Sequence, residues 1–148
     1  MQPLQFSILI HAGKEKVWNT MLGSETYCEW VNAGWPGAYS DGKWAQGEKI
    51  RFLSPAGGGT MARIDAFRPY EYILAKHLAV INSDGTEDFA GEHAKGWIGS
   101  TEAYSFREKN GNTELTVEVN TAPEWEEMFE QGWPLALAKL KEVSERKS

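Results

Sequence analysis

The sequence predicts an α+β domain in which a run of antiparallel strands precedes one long helix. Three observations predict it. Strand-like alternation recurs through the middle of the chain, two short helical patterns follow a first strand, and residues 121–148 carry a helical repeat of apolar side chains. Strands followed by a helix are typical of folds in which the helix covers one face of the sheet. We therefore expect a curved antiparallel sheet of about six to seven strands packed on the C-terminal helix.

The N-terminal part predicts one strand and two short helices. Apolar and polar residues alternate over residues 5–10, as in a half-buried strand. Residues 13–22 change to helical spacing. Ser24 is a candidate cap for a second helix that ends at about Asn32. Residues 33–42 are rich in Gly, Pro and Ser and predict a loop.

The remaining strands follow one another. They are predicted at residues 43–46, 48–54, 60–67, 71–81, 97–108 and 112–119. Asn110-Gly111 predicts a tight hairpin turn between the last two. Residues 82–96 form a long polar loop, and such loops are often lids over binding sites. No repeat or linker interrupts the chain, so we expect residues 1–148 to form one domain.

The last stretch predicts an amphipathic helix that closes over the sheet. Thr121 and Glu124 match a capping box, and Pro123 suits the first helical turn. The apolar stripe consists of Trp125, Phe129, Gly132, Trp133, Ala136, Leu140 and Val143. Because Pro134 removes a backbone hydrogen bond, we expect a bend that displaces the helix from the sheet near Trp133.

Charge and cysteine content exclude several classes of function. The formal net charge is -6, and the basic residues are scattered, so we expect neither a nucleic-acid partner nor a membrane-surface patch. Cys28 is the one cysteine, which fits a reducing compartment. The chain shows no signal-peptide pattern and no stretch of roughly 20 apolar residues that would span a membrane. We therefore expect a soluble, cytoplasmic protein.

Several short motifs resemble those of START-like domains. They are Phe6-x-Ile8-x-Ile10-x-Ala12 with Val17-Trp18, Tyr27-x-x-Trp30, Trp44-x-x-Gly47-x-x-Ile50-x-Phe52, Glu102-x-Tyr104-x-Phe106 and Gly111-x-Thr113-x-Leu115-x-Val117. Their order resembles the branch of the polyketide cyclase/START (SRPBCC) superfamily named after the activator of the heat-shock-protein-90 ATPase. The resemblance implies a helix-grip fold, in which the sheet wraps the C-terminal helix and an apolar cavity lies between them. It also implies several functions, since members bind hydrophobic ligands, act as cyclases or lyases, or serve as co-chaperones.

Strand alternation places polar residues inside this cavity. Tyr104 and Phe106 are expected to face inward, and Glu102 shares their face. With Lys76 in water, the inward residues of the preceding strand are Ile73, Ala75, His77, Ala79 and Ile81. Because the two strands are consecutive, we expect His77 and Glu102 to approach each other as the polar anchor of an apolar pocket. A one-residue slip in register would place either of them at the rim instead.

The candidate ligand-binding residues combine this pair with aromatic residues. They are Trp30, Phe52, His77, Trp97, Glu102, Tyr104 and Trp133. Seven tryptophans in the chain fit either a filled core or a lined cavity, and core packing is the alternative for each aromatic residue. Met21, Cys28 and Met128 are expected to fill the core, and nothing in the sequence activates Cys28 as a nucleophile.

Other motifs predict no metal or cofactor. Gly57-Gly58-Gly59 lacks the Lys-Ser/Thr ending of a phosphate loop and predicts a turn. Polar residues crowd the long loop at Asp84, Glu87, Asp88, Glu92 and His93, but their spacing matches neither a calcium loop nor a zinc site. Nucleotide-binding and hydrolase motifs are absent from the sequence.

Three functions remain open from the sequence. The first is binding of a small hydrophobic or amphipathic molecule in the cavity. The second is a cyclase- or lyase-like enzyme that uses His77 and Glu102 on such a molecule, and the sequence does not decide whether catalysis occurs. The third is a co-chaperone-type interaction. The co-chaperone has a further N-terminal domain that this chain is too short to contain, so we expect no chaperone binding. An exposed strand edge would allow a homodimer.

Overall fold

A curved antiparallel sheet holds the C-terminal helix in the computed structural model, which describes residues 3–54, 58–89 and 98–146. In chain order, the elements of these ranges are β1 (Leu4–Ile10), α1 (Lys14–Leu22), α2 (Ser24–Gly34), β2 (Tyr39–Gly42), β3 (Lys49–Leu53), β4 (Gly59–Arg68), β5 (Tyr72–Ile81), β6 (Glu87–Asp88), β7 (Thr101–Lys109), β8 (Asn112–Asn120) and α3 (Pro123–Glu145). The strand order is β1-β8-β7-β5-β4-β3-β2, and β6 pairs with the end of β5. The α+β class and the helix-grip fold are therefore confirmed.

The main core lies between one face of the sheet and the three helices. Every second residue of β5, β7 and β8 is buried along most of each strand, as the alternation predicts. The helix α3 adds Phe129, Trp133, Ala136, Leu137 and Leu140 to the same apolar cluster. Burying a large apolar side chain contributes about 1.5–3 kcal/mol to the stability of the fold. The buried side chains of the strands and of α3 therefore hold this helix against the sheet. No helix in the described ranges is both long and apolar enough to cross a membrane.

One predicted strand is in the wrong place. Residues 43–46 are not a strand, and β2 lies just before them, inside the predicted loop. Gly42 and Gly47 have φ values of 129° and 86°, which interrupt extended backbone on both sides of this segment. The amide of Glu48 donates to the carbonyl of Ala45 at 3.0 Å, so a turn occupies the segment. The strand predicted at residues 97–108 corresponds to β7, which begins at Thr101. Trp97, the first residue of that prediction, lies outside the described residues.

The predicted helix caps are also wrong. Gly23, rather than Ser24, occupies the N-cap of α2, and Ala122, rather than Thr121, occupies that of α3. The hydroxyl of Thr121 instead lies 2.9 Å from that of Ser100, in a buried contact. This hydrogen bond joins the start of α3 to the start of β7, a long-range partner that a local capping rule does not consider.

A β-bulge reverses the faces of β5 after His77. Ala62 pairs with His77 but Met61 pairs with Ala79, so one extra residue stands on β5 between them. Ala79 and Ile81 pack with Met61 in a second small cluster, apart from the main core. The prediction that they share the inward face of His77 is therefore wrong. It assumed strict alternation, which one inserted residue inverts.

Two glycines let α2 and α3 cross with their backbones in contact. A Cβ on Gly34 would overlap the carbonyl oxygen of Gly132, and a Cβ on Gly132 would overlap the indole of Trp35. Close approach therefore requires glycine at both positions. The helix α3 runs from Pro123 to Glu145 with Pro134 inside it, and the bend expected at that proline stays a prediction.

Replacing Gly34 by alanine tests this crossing. The new methyl group meets backbone that can yield only if the helices separate, so we expect Gly34→Ala to lower the free energy of unfolding by about 1–3 kcal/mol. Urea denaturation followed by circular dichroism measures the change. Gly13→Ala is the matched control, because a Cβ there meets nothing within 4 Å and its φ of -69° suits alanine. Equal stability of the two variants would contradict the close crossing.

Candidate functional site

A cavity of about 250 Å³ opens between the sheet, α2 and α3. Its wall is mostly aromatic, with rings from Tyr27, Trp30, Trp35, Trp44, Phe52 and Trp133. Typical ligand pockets measure about 300–1,000 Å³, so this cavity suits a molecule smaller than most drugs. Met128 and Tyr39 line the cavity and are 38% and 41% exposed, which places its mouth beside these two residues.

The predicted ligand-binding residues converge on this cavity. Those that line it are Trp30, Phe52, His77, Glu102, Tyr104 and Trp133. The remaining candidate, Trp97, lies outside the described residues. Lining a cavity is a geometric fact, and the role of these side chains in binding stays a prediction.

A hydrogen-bonded chain of three side chains forms the polar part of the wall. The Tyr104 hydroxyl donates to Oε2 of Glu102, and Nε2 of His77 lies 3.3 Å from Oε1 of the same carboxyl group. All three side chains are buried, with Glu102 the most exposed at 8%. The approach of His77 to Glu102 agrees with the strand faces predicted from the sequence. Partners on both carboxyl oxygens reduce the cost of keeping this group out of water.

Strand pairing explains why these side chains meet. Glu102 and Tyr104 are two residues apart on β7 and therefore share a face. Ala75 stands opposite Glu102 on β5, and His77 is the next residue along that face. The amide of His77 donates to the carbonyl of Ser100 at 2.8 Å, so β5 and β7 remain joined at the level of the imidazole. The bulge lies immediately beyond, where such irregularities often re-aim side chains.

Burial keeps two phenols of the cavity neutral. Burial, the nearby Glu102 carboxylate and the hydrogen bond to it raise the pKa of Tyr104 well above its ordinary value. The pKa of Tyr27 is raised too, chiefly by burial and then by the nearby Glu102 carboxylate. Both hydroxyl groups therefore retain their protons well into the alkaline range, above the pH at which an exposed tyrosine ionises, and can serve as donors.

Trp133 is the centre of the aromatic wall. Its ring stacks on Trp30 with centroids 5.9 Å apart and an angle of 24° between the planes. The Trp35 ring meets the Trp133 ring edge to face, with centroids 5.4 Å apart, and the centroid of the Tyr104 ring lies 5.8 Å from that of Trp133. Such pairs add about 0.5–1.5 kcal/mol each beyond the area they bury, so the crossing of α2 and α3 also fixes this part of the cavity.

The ligand-binding candidates named from the sequence omit five aromatic residues that line the cavity: Tyr27, Trp35, Tyr39, Trp44 and Phe129. Tyr27 and Trp44 belong to the family motifs but were not named as ligand-binding candidates, and Trp35 and Tyr39 fell in the predicted loop, where no strand face could be assigned. The one indication in the sequence was that these residues are aromatic, in a chain whose many tryptophans fit a lined cavity. The ring centroid of Tyr27 lies 5.0 Å from that of Trp30 and 6.5 Å from that of Trp44, so these rings extend the wall toward β3. The prediction that Met128 fills the core is wrong, since it lies at the exposed mouth.

The described residues contain no group of three or more His, Cys, Asp or Glu side chains close enough to hold a metal ion. In the long polar loop that begins at residue 82, the carboxylate of Asp84 accepts hydrogen bonds from the amide and the hydroxyl of Thr86, at 2.9 and 2.6 Å. Glu92 and His93 lie outside the described residues. In the described part, the carboxylate of Asp84 thus serves a local turn.

The raised phenol pKa values predict a loss of stability at alkaline pH. Below about pH 10, the ordinary tyrosine value, folded and unfolded chains both hold these protons. Above it, the unfolded chain releases protons that the folded chain retains on Tyr27 and Tyr104, so the free energy of unfolding falls as pH rises. Each retained proton contributes a slope of about 1.4 kcal/mol per pH unit.

Urea denaturation across this pH range measures that slope. We expect Tyr104→Phe to give a shallower slope than the wild type, because phenylalanine has no proton to retain. Tyr70→Phe is the control, since Tyr70 is exposed on the surface. The comparison uses slopes rather than absolute stabilities, because Tyr104→Phe also loses the hydrogen bond to Glu102. Identical slopes in wild type and Tyr104→Phe would contradict the buried neutral phenol.

Comparisons with known proteins identify relatives of this architecture. The sequence model described as "Activator of Hsp90 ATPase homolog 1-like protein" matches residues 11–145. Protein MLL2253 from Mesorhizobium loti has a similar structure, with a TM-score of 0.75, 16% identity and coverage of 99% of both chains. The Aha1 dimer from Colwellia psychrerythraea gives a TM-score of 0.71 at 18% identity, covering 98% of this chain and 97% of that one. No curated protein matches the sequence significantly.

A further similar structure is DynU16, described as a protein in the dynemicin biosynthetic locus. It gives a TM-score of 0.71 at 13% identity, covering 97% of this chain and 47% of the DynU16 chain. At such identities, these structures show the fold alone. The family match extends over most of the sequence and agrees with the helix-grip architecture. The chain therefore belongs to the family of Activator of Hsp90 ATPase homolog 1-like proteins.

Proposed function

We propose that the protein binds a small hydrophobic or amphipathic molecule in the cavity between the sheet and α3. The observation that carries this proposal is the aromatic cavity of about 250 Å³ with one buried polar cluster in its wall. Apolar walls supply affinity through removal of surface from water, and a few fixed polar groups orient the ligand. This cavity has both parts, an apolar aromatic wall and a small buried polar cluster.

The position of the mouth supports the same function. Tyr39 and Met128 are exposed while the rings behind them are buried, so the cavity leads from solvent to the Glu102 cluster. Methionine is flexible and polarisable, which suits a side chain that must yield to an entering ligand. An amphipathic ligand would place its polar end at Glu102 and its apolar body among the rings.

Filling the cavity tests the proposal. Thr60 lines the wall and pairs across the sheet with Phe52, so the ring of Thr60→Phe would occupy ligand space. A library of lipids, polyketides and small aromatic compounds is first screened by thermal shift. A ligand at 100 times its Kd stabilises the native state by about 2.7 kcal/mol. We expect Thr60→Phe to weaken binding of each compound found by about tenfold or more, measured by calorimetric titration.

Thr116→Phe provides the matched control. It makes the same exchange on β8, where Thr116 pairs with Ser7 and Ser105 and does not line the cavity. This variant should bind as the wild type does. Equal affinity of the two variants, or a library without one stabilising compound, would contradict the proposed function.

Catalysis on the bound molecule is a second candidate function. The observation that favours it is the contact between Glu102 and His77 in the wall, because a carboxyl group and an imidazole can move a proton to or from a bound substrate. Binding alone does not require a titratable pair. Removing the acid–base ability of Glu102 should therefore lower the reaction rate if the protein is a catalyst, but not if it only binds the molecule.

Glu102→Gln separates the two functions on any compound that is turned over. Glutamine keeps the size and an acceptor oxygen but cannot act as an acid or base. For an acid–base catalyst we expect kcat to fall by about 10²–10⁴ while affinity changes little. Unchanged kcat with altered affinity would contradict catalysis by this pair. Glu118→Gln, at an exposed position of β8, is the control.

The surface gives little support to a co-chaperone role. Charged side chains on the sheet pair locally, with Arg51 3.5 Å from Glu87 and Lys109 3.1 Å from Glu114. Such exposed pairs contribute little and are typical of a solvated face. We therefore propose no chaperone partner.

A further inference from the structure

Glu102 is the one acidic side chain among the described residues that line the cavity, and none of those residues is a lysine or an arginine. Its carboxyl group contacts the phenol of Tyr104 and the imidazole of His77, neither of which is a permanent cation. Folded proteins seldom bury a carboxylate without a positive partner. The described wall therefore contains a negative group and no fixed positive one.

The accessible part of Glu102 faces the cavity. The residue retains 8% exposure on the inward face of the sheet. Its cross-strand neighbours Ala75 and Val119 are buried, and so is Tyr104, the next residue on the same face of β7. Because these neighbours cover its other sides and Glu102 lines the cavity, a ligand in the cavity can reach this side chain.

The field of this carboxylate extends across the cavity. Burial is the main cause of the raised pKa of Tyr104 and of Tyr27, and the negative charge of Glu102 is the second cause for both. The two phenols stand on β7 and on α2, and both line the cavity. A negative charge that disfavours a phenolate on either side favours a cation in the space between them.

We propose that the ligand is a small organic cation, an amine or quaternary ammonium compound with an apolar body, whose charge lies beside Glu102. This inference rests on the proposed binding function and specifies the chemistry of its ligand. Aromatic rings suit such a ligand, because an ammonium group is attracted to the faces of aromatic rings. The planes of Tyr27 and Trp30 meet at 77° and those of Trp44 and Phe52 at 56°, so the wall presents its rings in several orientations. The volume of about 250 Å³ limits the apolar body to roughly one or two rings.

Ligands of other charge fit this wall less well. A carboxylate or phosphate would meet Glu102 with no lysine or arginine in the described wall to bind it. A neutral molecule would leave the buried carboxylate without a positive partner. The charge state of His77 bears directly on the test, since a protonated imidazole would cancel the charge of Glu102. A cation would then gain nothing over a neutral molecule of the same shape.

Two probes of the same shape test the sign of the ligand charge. Benzyltrimethylammonium and neopentylbenzene differ only in the central atom of the head group, a positively charged nitrogen in one and a carbon in the other. Titration followed by tryptophan fluorescence measures both affinities, because Trp30 and Trp133 line the cavity. We expect the wild type to bind the cation about tenfold more tightly. Equal affinities, or tighter binding of neopentylbenzene, would overturn the inference and leave the proposed function intact, whereas binding of neither probe would count against both.

Glu102→Gln shows whether the preference depends on this carboxyl group. Glutamine keeps the size and an acceptor oxygen for Tyr104 but carries no negative charge. We expect the preference for the cation to fall about tenfold, chiefly through weaker binding of benzyltrimethylammonium. Glu118→Gln removes the same charge from an exposed position of β8 and should keep the wild-type preference. An unchanged preference in Glu102→Gln would overturn the inference, and if that variant does not fold, the comparison of the two probes on the wild type decides.

Discussion

The backbone contact between Gly34 and Gly132 determines how the two helices stand over the sheet. It allows α2 and α3 to approach more closely than any side chain would permit, and the indole of Trp35 then lies against Gly132. That approach brings Trp30 and Trp35 onto Trp133 and closes one side of the cavity with stacked and edge-to-face rings. The cavity therefore depends on the absence of two β-carbons as much as on the rings that line it.

The buried carboxyl group of Glu102 is the second constraint. A carboxylate removed from water is costly unless its oxygens are hydrogen-bonded, and here Tyr104 and His77 provide those contacts. An apolar residue of similar size would cost less in stability alone. The polar cluster thus has no evident advantage for folding, whereas it places a carboxyl group and an imidazole in the wall of a mostly aromatic cavity. This asymmetry supports a functional role for the cluster.

The α+β class and the polar pair could be predicted from the residues, because they follow from strand alternation and the helical repeat at the end of the chain, whereas the helix-grip fold was implied by the family resemblance. His77 and Glu102 lie on consecutive strands whose inward faces are marked by apolar neighbours, so their approach required no knowledge of distant contacts. Alternation failed at Ala79 and Ile81, since a single bulge residue inverts the faces and has no distinctive sequence. The roles of Gly132 and Thr121 were not predictable for another reason: each depends on a partner far away in the chain, Gly34 and Ser100 respectively.

Members of this fold differ in function because the sheet and helix supply only a frame, and the few polar groups inside it decide what binds. An aromatic wall discriminates weakly, since one extra methylene changes affinity by only about 1–3 kcal/mol. A buried donor or acceptor discriminates more strongly, because a ligand without the complementary atom leaves that group unpaired out of water. In this chain the buried carboxyl of Glu102, which contacts Tyr104 and His77 in the cavity wall, is such a group. For the proposed ligand, selectivity is therefore expected to follow the polar groups that reach Glu102 more closely than the size of the ligand.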